Sequence, residues 1–434
     1  MSTINDQYSK LTIDITNTLD KVEKQQYGIF ITPKVIIEKT FDSILEYTIE
    51  HNIKISNVLE PACGTCEIVN YCNEKLNNIT IDAIEFNNKI FEAIKILPLP
   101  QNIQLINQDF IQFNTTKKYD LIVTNPPYFV CDKKYLIQPE YTAYIQGRAN
   151  IFGLFILHSL SLITPGGILA FIVPKSFLNS IYYSKIRNYI KKTCTIIEII
   201  DFEKDNKFID TEQATFGLIL QRLKKDNKVL FDCDYSIEIN SDFMFSSDTL
   251  ILKNIFEGST TLQKLGLQVK TGTVVWNQHK DELTDDPNET VLIYNTNLTK
   301  NHTFELRDFV SITNKRRENS KSKTKKTNEC KPEEKRQYIM MEGKTEPVLV
   351  VNRGNGNSKY KLNYALIDFG PYLVENHLNV ISSIDPMKKK DLIVLYNKVM
   401  NSFKNEKTQI FINMFLGNNG LSKTELETIF PIYL

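Results

Sequence analysis

The chain has 434 residues, with 52 Lys and Arg against 51 Asp and Glu, so its formal net charge is +1. That length supports two or three domains and a sizeable core, and a hydrophobic fraction of 42% fits a folded globular protein. A neutral total still leaves nucleic acid open as a partner, because a local basic groove is sufficient.

The N-terminus shows no basic-then-apolar leader, so a secretory signal is not expected and a cytoplasmic location is. Leu11, Ile15, Leu19 and Val22 recur at helical spacing within residues 7–23, which predicts a leading amphipathic helix. Seven cysteines at irregular spacing predict free thiols in a reducing compartment. Cys63 and Cys66 form a C-x-x-C with Cys72 nearby, but no second pair follows to complete a zinc site, so no metal is expected. The longest apolar run, residues 151–163, is interrupted by His158, Ser159 and Ser161. It is too short to span a bilayer and reads as a buried core helix, so no membrane partner is expected.

From about residue 55 to 222, apolar strands alternate with helical stretches. The strands are expected at 57–61, 80–86, 103–110, 119–125, 166–174, 195–202 and 214–223. Strands apolar on both faces and separated by helices predict a parallel sheet covered on both sides, a doubly wound α/β domain. Past about 245 the alternation stops and polar loops lengthen. A boundary there gives domains 1–245 and 246–434. Within the second, residues 315–336 hold ten Lys or Arg against four Glu and almost nothing apolar, which reads as a loop or disordered insertion.

Four strand ends carry the chemistry. "NVLEPACGTCEIV" (57–69) is a strand, a small-residue turn and a helix. Glu60 ends the strand, and Ala62, Cys63 and Gly64 let a ligand approach the backbone. A nucleoside-containing cofactor suits such a turn, which is neither a dinucleotide G-x-G-x-x-G nor a P-loop. Glu85 ends the next strand, 25 residues on, where a carboxylate can accept from ribose hydroxyls. Asp109 ends the third, placed to accept from an adenine amino group, with Phe110 against the ring. Each acid alone could be a solvated strand end. Three at one sheet edge point to a site.

The fourth strand closes on Asn125-Pro126-Pro127-Tyr128. Prolines cannot continue a ladder. They can instead fix the Asn125 side-chain oxygen and the Pro126 carbonyl as converging acceptors for a planar NH2 group. Tyr128 supplies a face on which a base can stack.

This set resembles the S-adenosylmethionine-dependent DNA adenine-N6 methyltransferases. "LEPACGTC" is similar to their first cofactor motif, "IEFN" to the acidic ribose motif, "NQDF" to the adenine-contacting motif and "NPPY" to the catalytic motif. "YGIFITP" (27–33) resembles the motif that closes over the methionine end of the cofactor. Its position upstream, with a large segment after the core, matches the γ arrangement of the TaqI-type modification enzymes. The resemblance covers roughly residues 25 to 225. It implies a Rossmann-like methyltransferase domain followed by a C-terminal α+β target-recognition domain. It also implies Thr32 and Pro33 near the methionine moiety, and Glu60, Ala62 and Gly64 along the turn. Glu85 and Phe86 would hold the ribose and adenine, and Asp109 and Phe110 the adenine amino edge. Tyr183 falls where the family places a second aromatic for the extruded base, with Phe177 and Tyr182 as alternatives. Cys66 stands where many members have glycine.

The implied reaction moves a methyl group from S-adenosylmethionine to the N6 amine of an adenine flipped out of double-stranded DNA. RNA bases, cytosine N4 and a protein glutamine amide are alternative acceptors for the same clamp. A non-catalytic DNA-binding specificity subunit is the reading from another class. A separate cognate restriction endonuclease and a monomeric state are compatible with this arrangement. In the tail, "VKTGTVVWNQHKDEL" (269–283) places Asn277, Gln278 and Lys280 beside the single Trp, and "VNRGNGNSKY" (351–360) pairs Arg353 with two glycines. Arg, Asn and Gln read G and A edges, so Asn277 and Arg353 are candidate base contacts. Folded turns with no such role are the alternative.

Overall fold

The computed structural model describes residues 8–19, 31–131, 139–145, 147, 150–202, 214–224, 235–239, 242–309, 335–354, 360–416 and 420–434. The chain divides into two compact units, Met1–Leu252 and Lys253–Leu434.

The first unit is built on a seven-stranded sheet. Its strands are β1 (Asn57–Glu60), β2 (Thr80–Glu85), β3 (Ile103–Asn107), β4 (Tyr119–Thr124), β5 (Ile163–Pro174), β6 (Cys194–Asp201) and β7 (Thr215–Arg222). Their order is β3-β2-β1-β4-β5-β7-β6. The apolar runs form central strands because both faces are covered: Val58, Leu59, Leu121, Ile122, Ile168 and Leu169 are all fully buried. The expectation of a parallel sheet needs one correction. β7 runs antiparallel to both β5 and β6. Strand direction leaves no trace in a run apolar on both faces, so periodicity could not show it.

Helices α1 (Lys10–Thr18), α2 (Lys34–Glu50), α3 (Glu67–Lys75), α4 (Asn88–Lys95), α5 (Ile151–Leu162) and α6 (Ser184–Thr193) belong to this unit. Ser9 caps α1 by accepting from the Thr12 amide at 3.2 Å. Ile15 and Leu19 bury against the same core as Ile37, Phe41 and Ile44 of α2. Val22 of the expected leading helix lies outside the described residues. α5 is buried nearly all round, as its predominantly apolar sequence requires.

The strand order reverses between β1 and β4, which pair directly, with Val58 opposite Leu121 and Leu59 opposite Ile122. Ligands bind in open α/β sheets beyond the carboxyl ends of the strands at such a reversal. The turn after β1 and the Asn-Pro-Pro-Tyr tip after β4 flank that point.

The second unit holds two four-stranded sheets. One, in the order β8 (Leu267–Thr271), β15 (Leu378–Ser383), β12 (Val348–Asn352), β13 (Tyr364–Ile367), is antiparallel throughout. The other runs β9 (Leu283–Thr284), β11 (Tyr338–Ile339), β10 (Thr290–Ile293), β14 (Tyr372–Val374), with β10 and β14 parallel. Helices Lys389–Phe403, Glu406–Phe415 and Lys423–Thr428 follow. The basic 315–336 stretch lies outside the described residues except for Lys335 and Arg336. Among the described residues no helix is long and apolar enough to cross a membrane.

Candidate functional site

A cleft at the strand-order reversal spans about 950 Å³ with its mouth and the adjoining open solvent included. Its walls include Thr32, Ala62, Gly64, Glu85, Phe86, Asp109, Phe110, Asn125 and Pro127 of the residues singled out in the sequence.

The turn after β1 makes the floor. Cys63 N–H donates to the Ile84 carbonyl at 2.8 Å, which ties the turn to β2. Gly64 takes φ +51°, a region in which only glycine escapes a steric penalty. Its amide donates to Glu85 Oε2 at 2.9 Å, and the Asn87 amide donates to Glu85 Oε1 at 2.6 Å. Glu85 is 7% exposed. Burial pushes its carboxyl up to about 7, opposed by the backbone amides of Asn87, Gly64 and Phe86. The Phe86 ring beside it is 52% exposed.

Cys66, where the resembled family often has glycine, takes φ +67° at the N-cap of α3 and is fully buried. The chain keeps the left-handed turn that a glycine would favour and fills the space behind it with a thiol. Cys63, Cys66 and Cys72 are all buried free cysteines. Among the described residues no cluster of His, Cys, Asp or Glu is placed to hold a metal.

Glu60, Pro33 and Pro126 fall short of the cleft wall. Glu60 is 1% exposed and turned inward. Its Oε1 accepts from the Ala62 amide at 3.1 Å. Burial pushes its carboxyl up to about 8, opposed by the Thr124 hydroxyl and the Ala62 amide, with the charge of Glu85 adding to the rise. Glu60 thus shapes the turn from behind. Pro33 is the N-cap of α2, and Pro126 is buried. Asp109 does not end β3, which stops at Asn107. It caps the short 3-10 turn Phe110–Gln112, accepting from the Ile111 amide at 3.0 Å. Phe110 is 1% exposed, its ring packed on Phe155 at 4.8 Å and His158 at 4.7 Å between centroids. It offers the cleft one edge of a core aromatic.

At the tip of β4, Asn125 is half-buried and held at both ends of its carboxamide. Nδ2 donates to Thr32 Oγ1 at 3.0 Å, and Oδ1 accepts from the Tyr128 hydroxyl at 2.5 Å. That hydroxyl also lies 2.7 Å from the Ile172 carbonyl of β5. Burial of the phenol holds its pKa well above the ordinary value. Tyr128 therefore stays a neutral donor and pins the proline tip to the neighbouring strand.

Phe152, which sequence reasoning passed over inside a mostly apolar helix, links the two expected stacking residues. Tyr128 meets it edge-on at 6.1 Å and Tyr183 packs on it at 4.9 Å. Of the alternatives for the second aromatic, Phe177 is fully buried and Tyr182 is 44% exposed. The 177–183 segment is organised by Arg187, itself fully buried. Its guanidinium donates to the carbonyls of Phe177 at 2.9 Å, Ser180 at 2.7 Å and Phe243 at 2.5 Å. Ile151 and Phe155 also line the cleft; their i, i+4 spacing puts them on one face of α5.

In the second unit, Trp276 is buried with Leu292, Tyr294, Phe309 and Ile339, while Asn277, Gln278 and Lys280 on the same turns are exposed. Arg353 is half-buried, with Nη1 donating to the Asn376 carbonyl at 3.0 Å and its own carbonyl accepting from the Leu421 amide at 2.7 Å. It sits in a packed turn, not a free loop.

Residues 24–208 match the family model described as Eco57I restriction-modification methylase. The chain is 26% identical to modification methylase CviBIII of Paramecium bursaria Chlorella virus NC1A, over 99% of both chains. It is 22% identical to type II methyltransferase M.CvrRI of Paramecium bursaria Chlorella virus XZ-6E, over 97% of this chain and 98% of that one. Against type II methyltransferase M.AccI of Acinetobacter calcoaceticus the identity is 28%, over 48% of this chain and 39% of the relative. With the strand-order reversal, the acid-lined turn and the Asn-Pro-Pro-Tyr tip in place, residues 24–208 are similar to the restriction-modification methylases, and the chain is an S-adenosylmethionine-dependent DNA methyltransferase.

Proposed function

We propose that the chain methylates the N6 amine of an adenine flipped out of duplex DNA, with residues 246–434 reading the target sequence. The observation that carries this reading is the Asn125 carboxamide, held at the sheet's reversal point beside the cofactor cleft.

The cleft residues suit S-adenosylmethionine. The small-residue turn admits a ligand to the backbone, the Glu85 carboxylate can accept from ribose hydroxyls, and Phe86, Asp109 and Phe110 can flank an adenine. When bound, the cofactor supplies an electrophilic sulfonium methyl. The protein's own part is to present the nucleophile. An exocyclic amine is a poor one, because its lone pair is delocalised into the ring. Asn125 Oδ1 and the Pro126 carbonyl would accept its hydrogens and favour the tetrahedral nitrogen formed as it attacks. The Tyr128 and Tyr183 rings would offset part of the cost of extruding the base, a few kcal/mol. Apolar Ile151 and Phe155 would keep water from the reacting centre. A cognate endonuclease acting separately, and a monomeric state, complete the proposed arrangement.

Incubating the protein with mixed-sequence duplex DNA and methyl-labelled cofactor, followed by digestion to nucleosides, tests this. N6-methyladenine is the expected product. N4-methylcytosine would replace the acceptor while keeping the clamp, and absence of label from DNA would reject the reading.

A further inference from the structure

Asn125 is gripped from a part of the chain 93 residues away, by Thr32. We infer that Thr32 is a positioning residue for methyl transfer: its hydroxyl holds the Asn125 carboxamide in the orientation that presents an acceptor to the target amine. The inference rests on the adenine-amine reading above and adds a role for a residue whose expected partner was the cofactor's methionine end.

Thr32 is unusually well fixed for this task. It is 5% exposed. It precedes Pro33, which disfavours helical backbone at residue 32 and keeps it extended. Pro33 is the N-cap of α2, with φ −61° and ψ 144°, and its carbonyl accepts from the Ile36 and Ile37 amides. α2 in turn is locked into the core through Ile37, Phe41 and Ile44. A β-branched side chain at such a place has few rotamers. The Thr32 hydroxyl is therefore a rigid point on the core.

Asn125 needs such a point. It follows the last residue of β4, where the ladder has ended and the prolines offer no amide to tether it. A terminal carboxamide rotates broadly about its last bond, exchanging its oxygen and NH2 ends. With Nδ2 on Thr32, the oxygen end of the carboxamide is fixed on the opposite side, beside the Tyr128 hydroxyl. Without the Thr32 oxygen, the NH2 group loses this acceptor and the carboxamide can turn its donor end toward the site, where it would repel the target amine.

The test uses the full chain with Thr32→Val, which keeps the shape and removes the hydroxyl, and Thr32→Ser, which keeps the hydroxyl. Cofactor affinity, kcat and KM for DNA are measured with duplex substrate, and folding is checked by thermal melting. Thr32→Val is expected to lower kcat about 10-fold or more, the scale of an unmade hydrogen bond on a reacting group. Cofactor affinity should stay within about threefold, and Thr32→Ser should recover most of kcat. If the valine variant does not fold, Thr32→Ala takes its place with the same expectations. A weakened cofactor affinity with kcat intact at saturation would overturn the inference and return Thr32 to the methionine end. So would a serine variant as slow as the valine one. Failure of the underlying reading would show separately, as no transfer to adenine by the unsubstituted chain.

Discussion

Two carboxyls end the neighbouring strands β1 and β2, and burial lifts both. Glu85 is pushed up to about 7 and Glu60 to about 8, yet the same shift has different consequences because only Glu85 lines the cleft. A carboxyl must be ionised to accept from both hydroxyls of a ribose. Cofactor affinity is therefore expected to rise about tenfold between pH 6 and 8 as Glu85 ionises, and Glu85→Gln should bind more weakly and without that slope. A titration showing a flat profile for the unsubstituted chain would contradict the ribose assignment. Glu60 bears on folding. Its folded value lies above the ordinary 4.5, so the unfolded chain gives up this proton first. Stability associated with the protonated carboxyl is present at low pH and lost between about pH 4.5 and 8. Glu60→Gln, whose oxygen can still accept from the Ala62 amide, is expected to flatten the fall in melting temperature across that window without cofactor. An unchanged fall would mean that Glu60 ionises freely.

At the scale of elements, the turn from β1 into α3 sets a local test. Cys66 bears a left-handed backbone, φ +67°, which costs a non-glycine residue roughly 1 kcal/mol. Cys66→Gly should relieve that cost while losing a fully buried thiol, leaving stability within about 1 kcal/mol of the unsubstituted chain. Cys72→Gly, equally buried but inside α3, gains nothing from its backbone and should lose about 2 kcal/mol. Denaturant midpoints for the two variants check the contrast; equal losses would contradict it. Elements of this kind were legible because each strand here is a short apolar run bounded by turn residues. All seven strands of the first sheet appear within about three residues of their expected ends. What periodicity could not carry was direction and cross-chain contact. β7 reads like its neighbours but runs the other way. β3 stops short of Asp109 because that side chain caps the next turn. Glu85, Gly64 and Asn125 announced themselves by residue type and spacing. Phe152 and Arg187 did not, since an apolar helix hides one aromatic among many and a buried arginine looks like a surface one in sequence.

Across the whole molecule, the acids, the small-residue turn and the Asn-Pro-Pro-Tyr tip all belong to the unit Met1–Leu252. The exposed polar turn residues Asn277 and Gln278, anchored by buried Trp276, belong to Lys253–Leu434. Sequence reading and methyl transfer should therefore be separable by substitution. Asn277→Ala is expected to relax the preference for the target sequence by roughly the 1–3 kcal/mol of a base contact, with cofactor affinity unchanged. Comparing methylation of a cognate site and its single-base variants measures this, and an unaltered preference would remove Asn277 from the reading surface.

The most direct test of the account falls on Asn125. Cofactor binding and single-turnover transfer to adenine-containing duplex DNA would be measured side by side for the unsubstituted chain and Asn125→Ala. The account predicts a cofactor affinity within about threefold and a loss of transfer of ~10³-fold or more, as for removal of an electrostatic stabiliser at a reacting centre. Transfer at an undiminished rate by Asn125→Ala would show that the tip of β4 does not hold the target amine.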